Sequence, residues 1–294
     1  MAEPPASKSP TDDPLAIDRV GPTRRPDARL AGYHVWSDLL FAHWRVPAAM
    51  VQALVPQELS VDTWDGSAWV GLVPFYMSRI RPWWAPALPG VSWFCETNVR
   101  TYVHFRGKDP GVWFFSLDAS NSLAVRMARW GWRLPYFRAE MTLKRAGQRV
   151  EYSSRRLWPG EAGAGTRIVV EAGDLQDSDV SLPPAQRTPP GNVPPGSPAT
   201  DQRATGHRTT GYSLPGSFEH FLIERYILYA QAGPGLLLKG HVHHTPYPVR
   251  SARLVEFEQS LLPAAGIPLS TPPDHVAFSD GVQVHVFSLQ RIRC

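Results

Sequence analysis

Three histidines stand close together at His241, His243 and His244. In a strand, alternation puts His241 and His243 on one face, where two imidazoles could hold a metal with a third ligand from His285, Glu224 or Glu96. No fixed spacing ties these residues together, and histidines in aromatic-rich sheets also hydrogen-bond locally. The sequence therefore assigns no metal and no cofactor, and keeps His241 and His243 as an alternative only. In the stretch FCETNVRTYVHF, Glu96, Asn98 and Arg100 alternate with Thr97, Val99 and Thr101. Glu96 and Arg100 therefore share one strand face. An inward guanidinium at Arg45 and the nearby Glu96 carboxylate would suit a ligand carboxylate with a base beside it, or a structural ion pair that includes Arg100. Glu224 and Arg225 interrupt an otherwise apolar segment and either anchor it or line the mouth of a pocket. Lysine chemistry has few places to reside: the lysines are Lys8, Lys108, Lys144 and Lys239. Only Lys239, after three leucines, is placed where an inward, desolvated amine is conceivable. No G-x-S-x-G elbow and no glycine-rich phosphate loop is present.

The elements that must position these residues are mostly short strands. LLFAHWRV reads as a strand ending at Pro47. AAMVQALV has helical spacing, and Asp65-Gly66 marks a hairpin. SLAVRMARWG is a short helix with Asn121 or Ser122 as its cap. SFEHFLIERYILYA predicts a helix of about three turns, with Phe218, Phe221, Leu222 and Tyr226 near one stripe. LLLKGHVHHTPYPV and VQVHVFSLQRI read as later strands. Many strands with few helices predict an α+β fold built on an antiparallel, barrel-like sheet. Residues 1–29 read as a disordered tail, 30–292 as one domain, and the Pro/Gly-rich stretch 183–211 as a loop or lid.

Composition narrows the function classes. The chain is 43% hydrophobic and 19% charged, a globular balance. It has no apolar run long enough to span a bilayer and no secretory leader, so a cytoplasmic protein with no membrane partner is expected. Cys95 and Cys294 cannot build a disulfide framework. The net charge of +4 is modest, and its densest basic stretches, Arg24 to Arg29 and Arg149 to Arg156, lack a nucleic-acid motif. No nucleic-acid partner is expected; a small-molecule ligand is.

Three segments in chain order carry a family resemblance: HWRVPAAMVQALVPQELSVD, FCETNVRTYVHFRG and LDASNSLAVRMARWGWRLPYF. They resemble acetoacetate decarboxylases. The span 30–292 more closely resembles the YqjF-like family of uncharacterised proteins in the acetoacetate-decarboxylase-like superfamily, through WDGSAWVGLVPF, ETNVRTYV, FFSLDA, LPY, FLIERYILYA and HVHHTPYP. The resemblance implies that superfamily's barrel-like fold with an interior cavity, and assembly into a homo-oligomer. By position, Arg45 matches the decarboxylase arginine and Glu96 its active-site glutamate. The Schiff-base lysine position falls on Tyr136, and tyrosine cannot form an imine.

The expectation is a cavity holding a carboxylate- or carbonyl-bearing ligand through Arg45, with Arg100 and Glu224 as further ligand contacts. Glu96 and Tyr136 would supply lysine-independent acid–base chemistry. A non-catalytic binding or sensory domain and a metal-dependent enzyme using the histidine strand are the alternatives.

Overall fold

The computed structural model describes residues 17–176 and 211–293. Its strands, in chain order, are β1 (Leu30–Val46), β2 (Ser60–Val61), β3 (Ala68–Pro82), β4 (Phe94–Phe105), β5 (Lys108–Ala119), β6 (Tyr136–Ala146), β7 (Arg149–Trp158), β8 (Gly165–Leu175), β9 (Ile227–Gly233), β10 (Leu236–His243), β11 (Val249–Gln259), β12 (His275–Phe287) and β13 (Gln290–Arg293). Four short helices, α1 (Ala48–Gln52), α2 (Ser122–Gly131), α3 (Phe218–Ile223) and α4 (Leu261–Ala264), fill the connections. Among the described residues, no helix is long and apolar enough to cross a membrane.

All strands belong to one sheet with ring-like bonding. The shared arc is β12–β1–β3–β4–β5, antiparallel throughout. Both ends of this arc fork. The first half of β5 pairs with β9 and its last residues with β6, both parallel. β12 pairs with β10 at Val286 and His285, and with β11 at Ser279 to Ala277. The β9–β10 hairpin thus closes the arc by a short route, and β6–β7–β8–β11 closes it by a longer one. The fold is α+β and barrel-like, without being one clean barrel.

Strand alternation sorts most buried side chains between two large cores, with a smaller third cluster at Leu117, Leu134, Ala230 and Leu238. One takes Leu40, Ala42 and Trp44 of β1 with Val150, Tyr152, Ile168 and Val170. The other takes Leu39 and Phe41 with Trp69, Val73, Phe75, Tyr102 and the apolar side of α3. Burying each such side chain contributes about 1.5–3 kcal/mol before the entropy of ordering it.

Several local expectations meet the structure directly. Asp65 and Gly66 both have positive φ and turn the chain between Trp64 and Ser67. The Asn121 carboxamide accepts from Leu123 N and Ala124 N, capping α2.

Two expectations need correction. The segment SFEHFLIERYILYA is not a three-turn helix: α3 covers only Phe218–Ile223, and from Ile227 the chain is strand. Glu224 leaves helical geometry because its carboxylate is taken by Tyr226 and by the backbone of Tyr247, while Ile227 to Tyr229 pair with β5 and β10. The tail drawn to residue 29 is also too long. Residues 17–29 lie on the domain, where Arg19 reaches Asp62 and Arg29 O accepts from Ser288 N. Residues 1–16 and the 183–211 segment up to residue 210 lie outside the described residues.

Candidate functional site

The second core contains polar groups that strand register brings together. His43 of β1 pairs with Gly71 of β3, and Gly71 with Arg100 of β4. Gly71 has to be small: a Cβ there would lie 3.0 Å from His43 Cδ2 and 3.4 Å from Arg100 Cγ. The missing side chain lets an imidazole and a guanidinium lie over the same strand. Arg100 is 8% exposed, donates one hydrogen bond to Leu222 O (3.0 Å), and sits 5.7 Å from the ring centres of Phe41 and Tyr102. Its Nε has no partner, and no carboxylate among the described residues forms an ion pair with it. His43 Nδ1 meets His275 Nδ1 at 3.0 Å, and its Nε2 is also without a partner. Burial, then the neighbouring His275 and Arg100, push the His43 pKa well below the usual imidazole value, so the ring is neutral.

Glu224 lies against this group. Its Oε2 accepts from Tyr226 OH (2.7 Å) and its Oε1 from Tyr247 N (2.9 Å). Burial raises its pKa to about 7, against those two hydrogen bonds and the pull of Arg100. Tyr247 packs edge-on against Phe41, and His244 stacks on Tyr226 at 4.3 Å. His244 Nε2 is another buried atom without a partner.

Farther along the same face of β4 is Glu96, four residues from Arg100 and so roughly 13 Å away along the strand. Tyr136, at the start of β6, donates to Glu96 Oε2 at 2.8 Å. Burial raises the Glu96 pKa to about 8; the Tyr136 hydrogen bond opposes this and the charge of Asp118 adds to it. Asn98 lies between Glu96 and Arg100 on that face, with Oδ1 unpartnered. Each buried polar atom left unpaired costs about 1–3 kcal/mol, and Arg100 Nε, His43 Nε2, Asn98 Oδ1 and His244 Nε2 are four such atoms around this core.

The structure thus brings Glu96, Tyr136, Arg100 and Glu224 onto one interior, and leaves three sequence candidates elsewhere. Arg45 is a correction. It has the strand parity of His43 but stands at the exit of β1, exposed, with Nε on Ser67 Oγ (2.7 Å) and Nη2 on Asp65 O (3.4 Å). His241 contacts Pro22 O at 2.8 Å, and the His243 ring stacks on His285 at 6.3 Å, on the opposite side of β10 from the buried Val242. Among the described residues, no three His, Cys, Asp or Glu side chains are arranged to hold a metal. Lys239 is no inward free amine, since its Nζ pairs with Asp109 at 2.8 Å at the surface. Lys108 and Lys144 are exposed.

Sequence reasoning missed His43, Tyr102 and Tyr247, and named His244 only as a member of the histidine cluster. The alternation Phe41, His43 was the available signal, hidden because Leu40, Ala42 and Trp44 on the other face are buried too.

Residues 33–283 match the family DUF2071, described as an uncharacterized conserved protein. The chain belongs to that family. The uncharacterized protein YqjF of Bacillus subtilis (strain 168) is 44% identical over 137 residues, covering 47% of this chain and 56% of YqjF. The match therefore spans just over half the length of that relative.

The DUF2071 chain also resembles solved structures at low identity. An acetoacetate decarboxylase-like enzyme from Sphingomonas wittichii RW1 superposes with a TM-score of 0.53 at 13% identity, over 90% of this chain and 93% of that one. Acetoacetate decarboxylase from Legionella pneumophila gives 0.51 at 10%, over 99% and 98%. The enduracididine biosynthesis enzyme MppR complexed with pyruvate gives 0.51 at 11%, over 91% and 93%. The fold is therefore acetoacetate-decarboxylase-like.

Proposed function

We propose that this protein binds a small carboxylate- or carbonyl-bearing molecule inside the second core, with the carboxylate on Arg100, and carries out lysine-independent acid–base chemistry on it. The observation that carries the reading is the contrast among buried arginines. Arg156 and Arg225 are each ion-paired with a buried aspartate, Asp118 and Asp62, although Arg225 Nη2 is itself without a partner, whereas Arg100 has one backbone carbonyl and no aspartate. A buried guanidinium is costly without an anion, and a ligand carboxylate would fit its planar fork. The neighbour MppR is complexed with pyruvate, an anion of this class, which supports the choice of ligand.

In this reading Glu224 and Glu96 divide the proton work. Near neutral pH, Glu224 at about 7 is partly ionised and able to take a proton from carbon or water, whereas Glu96 at about 8 keeps its own. Tyr136, hydrogen-bonded to Glu96, would stabilise oxygen charge that develops on the ligand. Enolisation, hydration or isomerisation are the reactions such a pair serves. Imine chemistry is absent from the proposal because the family resemblance puts Tyr136 at the lysine position and Lys239 is paired with Asp109. The reading places the protein in the cytoplasm, as a binder of small metabolites.

Calorimetric titration with pyruvate, acetoacetate and benzoate tests the proposal. Wild type should bind at least one acid, and Arg100→Gln should weaken it by about thirtyfold or more, the range for removing one partner of a buried charge pair. Borohydride treatment with each acid should leave the intact mass unchanged. Equal binding by Arg100→Gln, or a reduced adduct on Lys239, would refute it. Binding without turnover would move the protein to the non-catalytic class.

A further inference from the structure

The β3–β4 connection and α2 present apolar side chains to the outside. In the connection Trp83, Trp84 and Leu88 are exposed, Trp84 at 71%. In α2, Val125 faces the core, while Leu123, Met127 and Trp130 line up at i, i+4 and i+7 on the outer side, Trp130 at 83% exposure. The two elements are joined, because Asn121 Nδ2 donates to Gly90 O at 2.7 Å. A helix with its apolar stripe toward solvent is the reverse of a globular surface helix, and a tryptophan-rich loop beside it makes one patch.

Charge indicates what covers the patch. From Arg79 to Cys95 and from Ala119 to Ala139 the sequence holds no Asp or Glu, and its charges are Arg79, Arg81, Arg126, Arg129, Arg133 and Arg138. Arg79, Arg126 and Arg133 are exposed. A two-fold contact between copies would set these like charges against one another. Beside the apolar side chains, an open concavity of about 510 Å³ is lined by Arg79, Arg81 and the Trp83–Ala87 backbone and side chains. Two guanidinium groups and two indoles around one hollow suit a phosphate that lies at an apolar boundary. Pro82, Pro86 and Pro89 restrict the loop, so little ordering entropy opposes its insertion.

We infer that this face docks on an anionic phospholipid surface, with Trp84, Leu88, Met127 and Trp130 entering the headgroup boundary and the exposed arginines meeting lipid phosphate. Tryptophan prefers that boundary, and each arginine near an anionic leaflet adds attraction. Such a contact is peripheral and needs no spanning helix. It is independent of the interior site.

The test is co-sedimentation of the full chain with vesicles of phosphatidylcholine alone or mixed equally with phosphatidylglycerol, read together with tryptophan emission. The expected result is binding and a blue shift with the mixed vesicles only, not competed by inorganic phosphate. Trp84→Ser/Trp130→Ser should weaken it about tenfold or more at unchanged Tm, and Arg100→Gln should leave it intact. No sedimentation with mixed vesicles, equal sedimentation of the double variant, or full competition by free phosphate would overturn the inference. So would a concentration-dependent dimer in light scattering that the double variant abolishes, since the occupant would then be a second copy.

Discussion

Arg156 and Asp118 meet through two hydrogen bonds, 2.6 and 3.1 Å, with both side chains buried. Removing one partner strands the other charge, so Asp118→Asn is expected to cost about 3–5 kcal/mol, seen as a lower urea midpoint at unchanged m-value. Tyr136→Phe asks a finer question. The phenol donates to the ionised form of Glu96, so its loss should raise the Glu96 pKa further above about 8, measured by carboxyl carbon NMR titration. At this scale the β4 residues were the legible ones, because Glu96 and Arg100 stand out as charges in an apolar strand and alternation puts them on one face. Arg45 was misleading for a physical reason. Parity fixes which face a residue takes and says nothing of how near it lies to the end of its strand, and there the guanidinium finds Ser67 and the solvent.

Elements hold the site through close approaches that only glycine permits. At Gly111, where β9 runs parallel to β5, an added Cβ would lie 2.6 Å from Ile227 O and 2.9 Å from Ile227 C. Gly111→Ala must push β9 off β5, and the expected destabilisation is about 1–3 kcal/mol or more by thermal melting. Gly71→Ala meets only side chains, His43 and Arg100, so it should change Tm less and carboxylate affinity more. The β-rich character, the Asp65-Gly66 hairpin and the cap of α2 were readable from local chemistry. The end of α3 was not. Phe218 to Tyr226 satisfy helical periodicity, and what stops the helix at Glu224 is a pair of hydrogen bonds, one of them from Tyr247, which no local window contains.

For the molecule as a whole, two sets of buried groups set opposite pH slopes. His34, His220 and His244 are lowered by burial to about 4, and His43 is held well below its usual value. The unfolded chain takes up these protons below about 6.5, so their contribution is present above that pH and lost as it falls toward 4. Glu96 and Glu224 act the other way. Their raised pKa values favour the protonated native form, and that contribution fades as pH rises from the unfolded value near 4.5 through about 7 and 8. The histidines outnumber the carboxyls where the windows overlap, so Tm is expected to peak between about pH 6.5 and 7 and to fall on both sides in a calorimetric pH series. A flat profile, or one still rising at pH 9, would contradict these burials. None of this was legible in the sequence, because it depends on which histidines the two cores enclose.

The forks at β5 and β12 have a further consequence for how the protein is made. His43 and His275, whose rings touch, stand 232 positions apart, and Arg100 is completed by Leu222, 122 positions later. A nascent chain emerges with its inward guanidinium long before β9, β10 and β12 can close over it. A fragment ending at residue 176 contains Glu96 and Arg100 yet closes neither ring, so it should bind no ligand and remain bound to chaperones. A small carboxylate that occupies Arg100 would then favour only finished molecules. Supplied during expression, it should raise the yield of folded wild type and leave that of Arg100→Gln unchanged.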